Sequence, residues 1–150
     1  MISPLMLERL QLRIHPEKTQ VTDAYRGFDF LSVHFRMRPV RKRGSRLKES
    51  CRLWPSDKAM TRIKQKIRDT IGRRYSQSLE EMIYELNPAI RGWNNYHTRI
   101  RESKRRFLRL NYFVEDRLRI FLKRKYSDPT RGTRRIADGL PRKLGLALFG

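Results

Sequence analysis

The sequence predicts an α+β fold in which helices dominate: a short layer of β-strands, then a bundle of three to four helices. Three observations carry this reading. Apolar and polar residues alternate through parts of the first forty positions, the two-residue period of a half-buried strand. From Met60 onward, apolar residues recur at three- and four-residue spacing, the period of amphipathic helices. Between the two regimes lies a basic stretch, Arg38 to Arg52, which contains Gly44 and Ser45 and little apolar content.

Leu10, Leu12 and Ile14 alternate with Gln11, Arg13 and His15 before Pro16 forces a turn. A second alternation sets Leu31, Val33, Phe35 and Met37 against Ser32, His34, Arg36 and Arg38. Phe28 and Phe30 precede it in the opposite parity, so a bulge or bend is expected near Phe30–Leu31. Two or three strands make no stable sheet alone and must lean on helices or on another polypeptide. The stretch from Arg38 to Arg52 reads as a loop or hairpin tip.

Leu53 and Trp54 re-anchor the chain, and Ser56 reads as the N-cap of a helix. Met60, Ile63, Ile67 and Ile71 mark its inner face, with Tyr75 prolonging the stripe. Arg62, Lys64, Lys66, Arg68, Arg73 and Arg74 face outward. A helix of about 19 residues would be roughly 28 Å long. Ser78-Leu79-Glu80-Glu81 has the form of a capping box, and Leu79, Met82, Ile83 and Leu86 form a buried side. Asn87-Pro88 signals a fresh helix start, Asn87 capping and Pro88 in the first turn. A last long helix is expected from about Glu102 to Lys125. Phe107, Leu110, Val114, Leu118 and Phe121 point inward, while Lys104, Arg105, Arg106, Arg109, Arg119, Lys123 and Arg124 point outward. Asp128-Pro129 and Gly132 end it. A basic segment with Arg131, Arg134 and Arg135 then closes on the apolar Leu144–Phe149.

Lys and Arg outnumber Asp and Glu 36 to 15 in 150 residues, a net charge of +21. Such a chain repels itself, so a polyanion both binds and stabilises it. Nucleic acid is the expected partner, and several helix faces share the bias. Cys51 is the single cysteine, which excludes an intrachain disulfide and a thiolate metal cluster. No window approaches the roughly 20 apolar residues that span a bilayer, and no membrane partner is expected.

No catalytic constellation is visible. Two-metal nucleic-acid enzymes hold their ions about 3.5–4 Å apart on clustered carboxylates. The seven aspartates here, at 23, 29, 57, 69, 116, 128 and 138, are scattered. His15, His34 and His97 lack ligand spacing, and no Gly-rich phosphate loop occurs. No cofactor or metal is expected.

The densest unusual run is Leu86-Asn87-Pro88-Ala89-Ile90-Arg91-Gly92-Trp93-Asn94-Asn95-Tyr96. Trp93 reads as a core anchor, with Gly92 admitting a neighbouring helix. Arg91 and Asn94 stand open between packing and contacts to RNA phosphates, sugars or bases. The run resembles the LNPxIRGWxNYY signature of the maturase-specific region of group II intron-encoded reverse transcriptases, with His97 where a second Tyr is usual. Pro16-Glu17-Lys18-Thr19 resembles the EKT segment of the same family. Gly27-Phe28-Asp29-Phe30-Leu31 resembles its GFxFLGF strand, with Ser32-Val33 in place of Gly-Phe. Pro55-Ser56 resembles the start of the thumb helices.

The resemblance implies that residues 1–54 are the end of a polymerase palm. It likewise makes residues 55–126 the thumb, or domain X, and residues 127–150 a basic C-terminal tail. In the family the metal-binding Tyr-x-Asp-Asp motif lies upstream of the EKT segment. This chain carries no such motif, so it is not expected to polymerise alone. Lys18 would lie near the polymerase site, while Gly27 and Phe28 would belong to the primer grip. Some members add a zinc-dependent endonuclease, which a single cysteine does not support. In the family the thumb binds intron RNA and assists its folding for splicing, and the resemblance implies the same role here. The RNA-binding residues expected here are Lys64, Arg68, Arg73, Arg74, Arg91, Asn94, Arg99, Arg105, Arg106 and Arg109. The expected partner is a group II intron RNA in a ribonucleoprotein, in a bacterial cytoplasm or an organelle. Rival readings are a reverse-transcriptase fragment active only with an upstream fingers and palm chain, and a decayed remnant of one. A DNA-binding module is a further rival, without a recognition-helix motif or zinc site to support it.

Overall fold

A computed structural model describes residues 21–40, 48–72, 75–97, 99–100, 103–127 and 139–150. The expected strand over Leu10–Ile14 and the EKT segment with Lys18 lie outside them. Strands β1 (Phe28–Phe30), β2 (Val33–Val40) and β3 (Lys48–Pro55) form one antiparallel sheet in that order. Phe35 lies opposite Phe28 and Leu53, and His34 opposite Asp29 and Trp54. One face therefore carries Phe28, Phe35 and Leu53, and the other Asp29, His34 and Trp54.

Of the bulge or bend expected near Phe30–Leu31, the structure has the bend, a two-residue turn at Leu31 and Ser32. Leu31 and Ser32 have φ of 45° and 67°, the left-handed pair whose twist matches a tight hairpin. Non-glycine residues there are strained, and two bonds hold them. The Tyr96 hydroxyl donates to the Leu31 carbonyl at 2.5 Å, and the Ser56 amide donates to that of Ser32 at 2.9 Å. Gly27, at φ 87°, has no room for a side chain, since a Cβ would stand 2.6 Å from His34 Nε2. Of the stretch read as a loop or hairpin tip, the described residues Arg38–Val40 and Lys48–Arg52 are strand, Val40 pairing with Lys48. Lys48 to Arg52 has no apolar run of its own, and pairing with β2 makes it a strand. The hairpin tip with Gly44 and Ser45 lies outside the described residues.

Helix α1 (Asp57–Ile71) starts as predicted, the Ser56 hydroxyl accepting from the Ala59 amide at 3.2 Å. It ends short of Tyr75 because Gly72 turns left-handed at φ 47° and returns its amide to the Arg68 carbonyl. Tyr75 still packs, its ring 6.2 Å from that of Phe121. Helix α2 (Leu79–His97) opens on the predicted capping box: the Glu81 amide donates to Ser78 Oγ at 3.1 Å, and the Ser78 amide to Glu81 Oε2 at 2.7 Å. Two helices were expected here, yet α2 runs unbroken through Pro88. Asn87 is no cap. Its side chain receives the Ala147 amide at 2.8 Å and donates to the Gly145 carbonyl at 2.9 Å.

Helix α3 (Lys104–Lys125) buries Phe107, Leu110, Val114, Leu118 and Phe121, the predicted set. It stops at Tyr126 and Ser127, the latter at φ 48°; Asp128-Pro129 and Gly132 lie outside the described residues. The three helices share one core with Ile67, Met82, Ile83, Leu86, Ile90, Leu110 and Leu118 at its centre.

The end of the chain corrects the expectation of a tail. After the short helix α4 (Leu140–Lys143), Leu146 and Phe149 enter the core. Three asparagines hold the backbone between them. Asn87 grips Gly145 and Ala147. Asn94 donates to the Leu148 carbonyl at 2.7 Å, and Asn111 exchanges two bonds with Phe149 at 3.0 and 2.8 Å. Each amide side chain does for the extended segment what a neighbouring strand does in a sheet. Trp93 packs edge-on against Phe107 and Phe149 as a core anchor. Gly92 does not admit a helix, for a Cβ added there meets nothing within 4 Å.

Candidate nucleic-acid interface

Helix α3 begins with Lys104, Arg105 and Arg106, and its first turn carries no acid. Cations at the positive end of the helix dipole repel it. Ser103 does not relieve this. Its side chain makes no capping bond, and its buried hydroxyl has no hydrogen-bond partner among the described residues. An anion bound there would relieve both deficits.

The sheet brings more positive charge to the same place. β2 and β3 project Arg38, Arg52 and Trp54 toward α3, where with Arg105, Arg106 and Arg109 they line a cleft of about 440 Å³. Trp54 is fixed on one side by stacking on His34 at 4.7 Å between rings. His34 is oriented in turn by Asp29, 2.6 Å from Nδ1 to the carboxylate. Arg106 reaches Asp57 in the first turn of α1 at 2.5 Å. That hydrogen bond and charge hold the Asp57 carboxyl below the usual carboxylate range. The cleft thus joins guanidinium forks suited to phosphate with a ring suited to stacking.

From the cleft, α1 and α3 run side by side in the same direction, Asp57 beside Arg106 at one end and Tyr75 beside Arg124 at the other. Midway, Lys64, Arg68 and Arg117 surround the Phe113 ring at 5.6, 5.1 and 5.5 Å from its centre. Farther on, Arg68, Arg117 and Arg124 line a smaller cleft of about 160 Å³. The eighteen residue-to-residue rises from Arg106 to Arg124 span roughly 27 Å of helix. One strand of a nucleic acid places several phosphates over that length.

The model of the group II intron maturase-specific domain matches residues 60–138. The chain belongs to that family. A comparison with curated proteins finds no match. The maturase-specific match covers nearly all of α1, with α2 and α3 entire, and so includes Lys64, Arg68, Arg105, Arg106 and Arg109. It ties the chain to group II intron maturation and to the part of those proteins that is not catalytic. Among the described residues, no group of three or more His, Cys, Asp or Glu side chains could hold a metal ion. None of the described helices is long and apolar enough to cross a membrane.

Of the residues expected to bind RNA, Arg105, Arg106 and Arg109 share the larger cleft, and Lys64 and Arg68 share the Phe113 ring. Arg91 and Arg99 are exposed but line neither cleft. Asn94 lines neither cleft, and its side-chain NH2 donates to the Leu148 carbonyl within the chain. Arg73 and Arg74 lie outside the described residues. Phe28, from the primer-grip resemblance, is partly exposed and stacks on Phe35 at 5.3 Å. Sequence reasoning missed Arg38, Arg52 and Trp54 as site residues. Trp54 follows the basic stretch directly and shares a face with Arg52 by the two-residue period of β3. Only the β2–β3 register brings Arg38 to that face, and only the packing of the hairpin brings all three within reach of α3.

Proposed function

We propose that this chain is an RNA-binding maturase module that holds structured group II intron RNA and assists the folding that splicing requires. The observation that carries the reading is the cleft in which Arg38, Arg52, Arg105, Arg106 and Arg109 converge beside Trp54. The seam through Lys64, Arg68 and Arg117 extends it along one side of the helices. In this reading the hairpin corresponds to the end of the palm and α1 to α3 to the thumb. The ribonucleoprotein works where the intron is transcribed, in a bacterial cytoplasm or an organelle. Filter binding of intron RNA tests it. With six to ten phosphates neutralised, affinity falls by about 10³–10⁵-fold between 50 and 200 mM salt. A flat salt response, or equal affinity for a polyanion such as heparin, contradicts the reading.

A second reading has one observation in its favour. Phe28, Phe30 and Leu31 are 44%, 57% and 68% exposed at the hairpin end of the sheet, an apolar surface that a fingers and palm chain could cover. Primer extension on an RNA template by such a chain, with and without this one, decides it; equal synthesis removes the reading.

A further inference from the structure

On the far side of α1 from the seam, α1, the end of α2 and the Leu31–Ser32 turn line a third cleft, of about 310 Å³. That is the low end of the ~300–1,000 Å³ range of small-molecule sites, too small for a helix or duplex. Trp93, Tyr96 and His97 form its aromatic wall, and Arg62 and Lys66, one turn apart on α1, stand at it as cations. Two of its features have no structural explanation. Gly92 lines it in mid-helix, where glycine is unfavourable, although a side chain there would meet nothing. His97 is 2% exposed, yet its Nδ1 has no hydrogen-bond partner among the described residues, and such buried polar atoms are costly to leave unpaired.

We propose that this cleft captures one unpaired RNA base against Trp93 and Tyr96, with His97 hydrogen-bonding its edge and Arg62 and Lys66 holding the adjoining phosphates. The chemistry fits each part. Aromatic rings accept any base by stacking, and paired cations at one helical turn match a sugar–phosphate chain. Burial pushes the His97 imidazole down to about 4, so at neutral pH it offers one donor and one acceptor. The open space at Gly92 admits the base where any larger side chain would fill it. The inference rests on the chain binding RNA, but it adds a preference for bulged or looped nucleotides that the arginine cleft alone does not require.

The test uses the full chain and two RNA hairpins, one with a single bulged 2-aminopurine and one with that position paired. Wild type should favour the bulged RNA about tenfold, by the energy of one stacked base, and should quench the 2-aminopurine. Gly92→Leu, a better helix former at that position, should abolish the preference and the quenching while the thermal transition is kept. The exposed pair Arg62→Ala and Lys66→Ala should reduce the preference without touching the core. Equal affinity of wild type for the two RNAs, or a preference that survives Gly92→Leu, overturns the pocket and leaves the arginine cleft standing. Failure to bind either RNA overturns both.

Discussion

Across α2 and α3, the side chains of Asn87, Asn94 and Asn111 hold the backbone of Gly145–Phe149 at 2.7–3.0 Å. At the hairpin end of α3, five arginines instead crowd one cleft beside an uncapped helix start. In the first region the asparagine side chains bond to backbone within the chain, and the product is stability. In the second, positive charge accumulates well beyond the Asp57 carboxylate that meets Arg106. Folding alone does not favour such an accumulation, so the cleft is read as a site and the asparagine clamp as architecture.

The largest effect should come from breaking the clamp at its apolar end. Phe149→Ala removes a ring that is 3% exposed, at a cost of about 3–5 kcal/mol. Urea titration should show that loss, while RNA affinity measured well below the transition stays as in wild type. Reduced affinity in the folded state would join the two regions that the comparison separates.

His97 gives a pH-dependent test of the same helical end. Its folded value is depressed from 6.5 to about 4 by burial, so the unfolded chain takes up the proton first. The contribution is complete above pH 6.5 and is lost as pH falls toward 4, on the order of 3 kcal/mol in all. His97→Phe should remove that slope from urea midpoints collected across the window. A slope that persists in the variant would assign it to other groups.

Smaller again is Asn87→Ala, which leaves the Gly145 carbonyl and Ala147 amide without their partner and should cost about 1–3 kcal/mol. RNA affinity should not change. A fall in affinity without a fall in stability would return Asn87 to the interface.

The helical part of the fold was legible because its signals are local. The Ser56 cap, the Ser78–Glu81 box and the five inward residues of α3 depend on neighbours within a turn or two. The misses share a different cause. Asn87-Pro88 looks like a helix start, and only contact with Gly145 and Ala147, some sixty positions on, explains the asparagine otherwise. Leu146 and Phe149 read as a loose apolar end until the groove they enter exists. β3 carries no strand pattern of its own and depends on pairing with β2. For the site, the arginines of α3 were visible as a charged face. Their convergence with Arg38, Arg52 and Trp54 is a product of strand register and of how the hairpin rests on the helices. Such long-range placement leaves no periodicity in the chain.

The central claim is that the arginine cleft contacts RNA phosphates, and the salt dependence of binding tests it most directly. Arg105→Gln with Arg109→Gln removes two guanidinium groups and spares the Arg106–Asp57 pair. Each lost phosphate contact should lower the slope of log affinity against log salt by about 1, so the double variant should be shallower by about 2, with an unchanged thermal transition. A slope identical to that of wild type would place the RNA elsewhere on the chain and contradict the account.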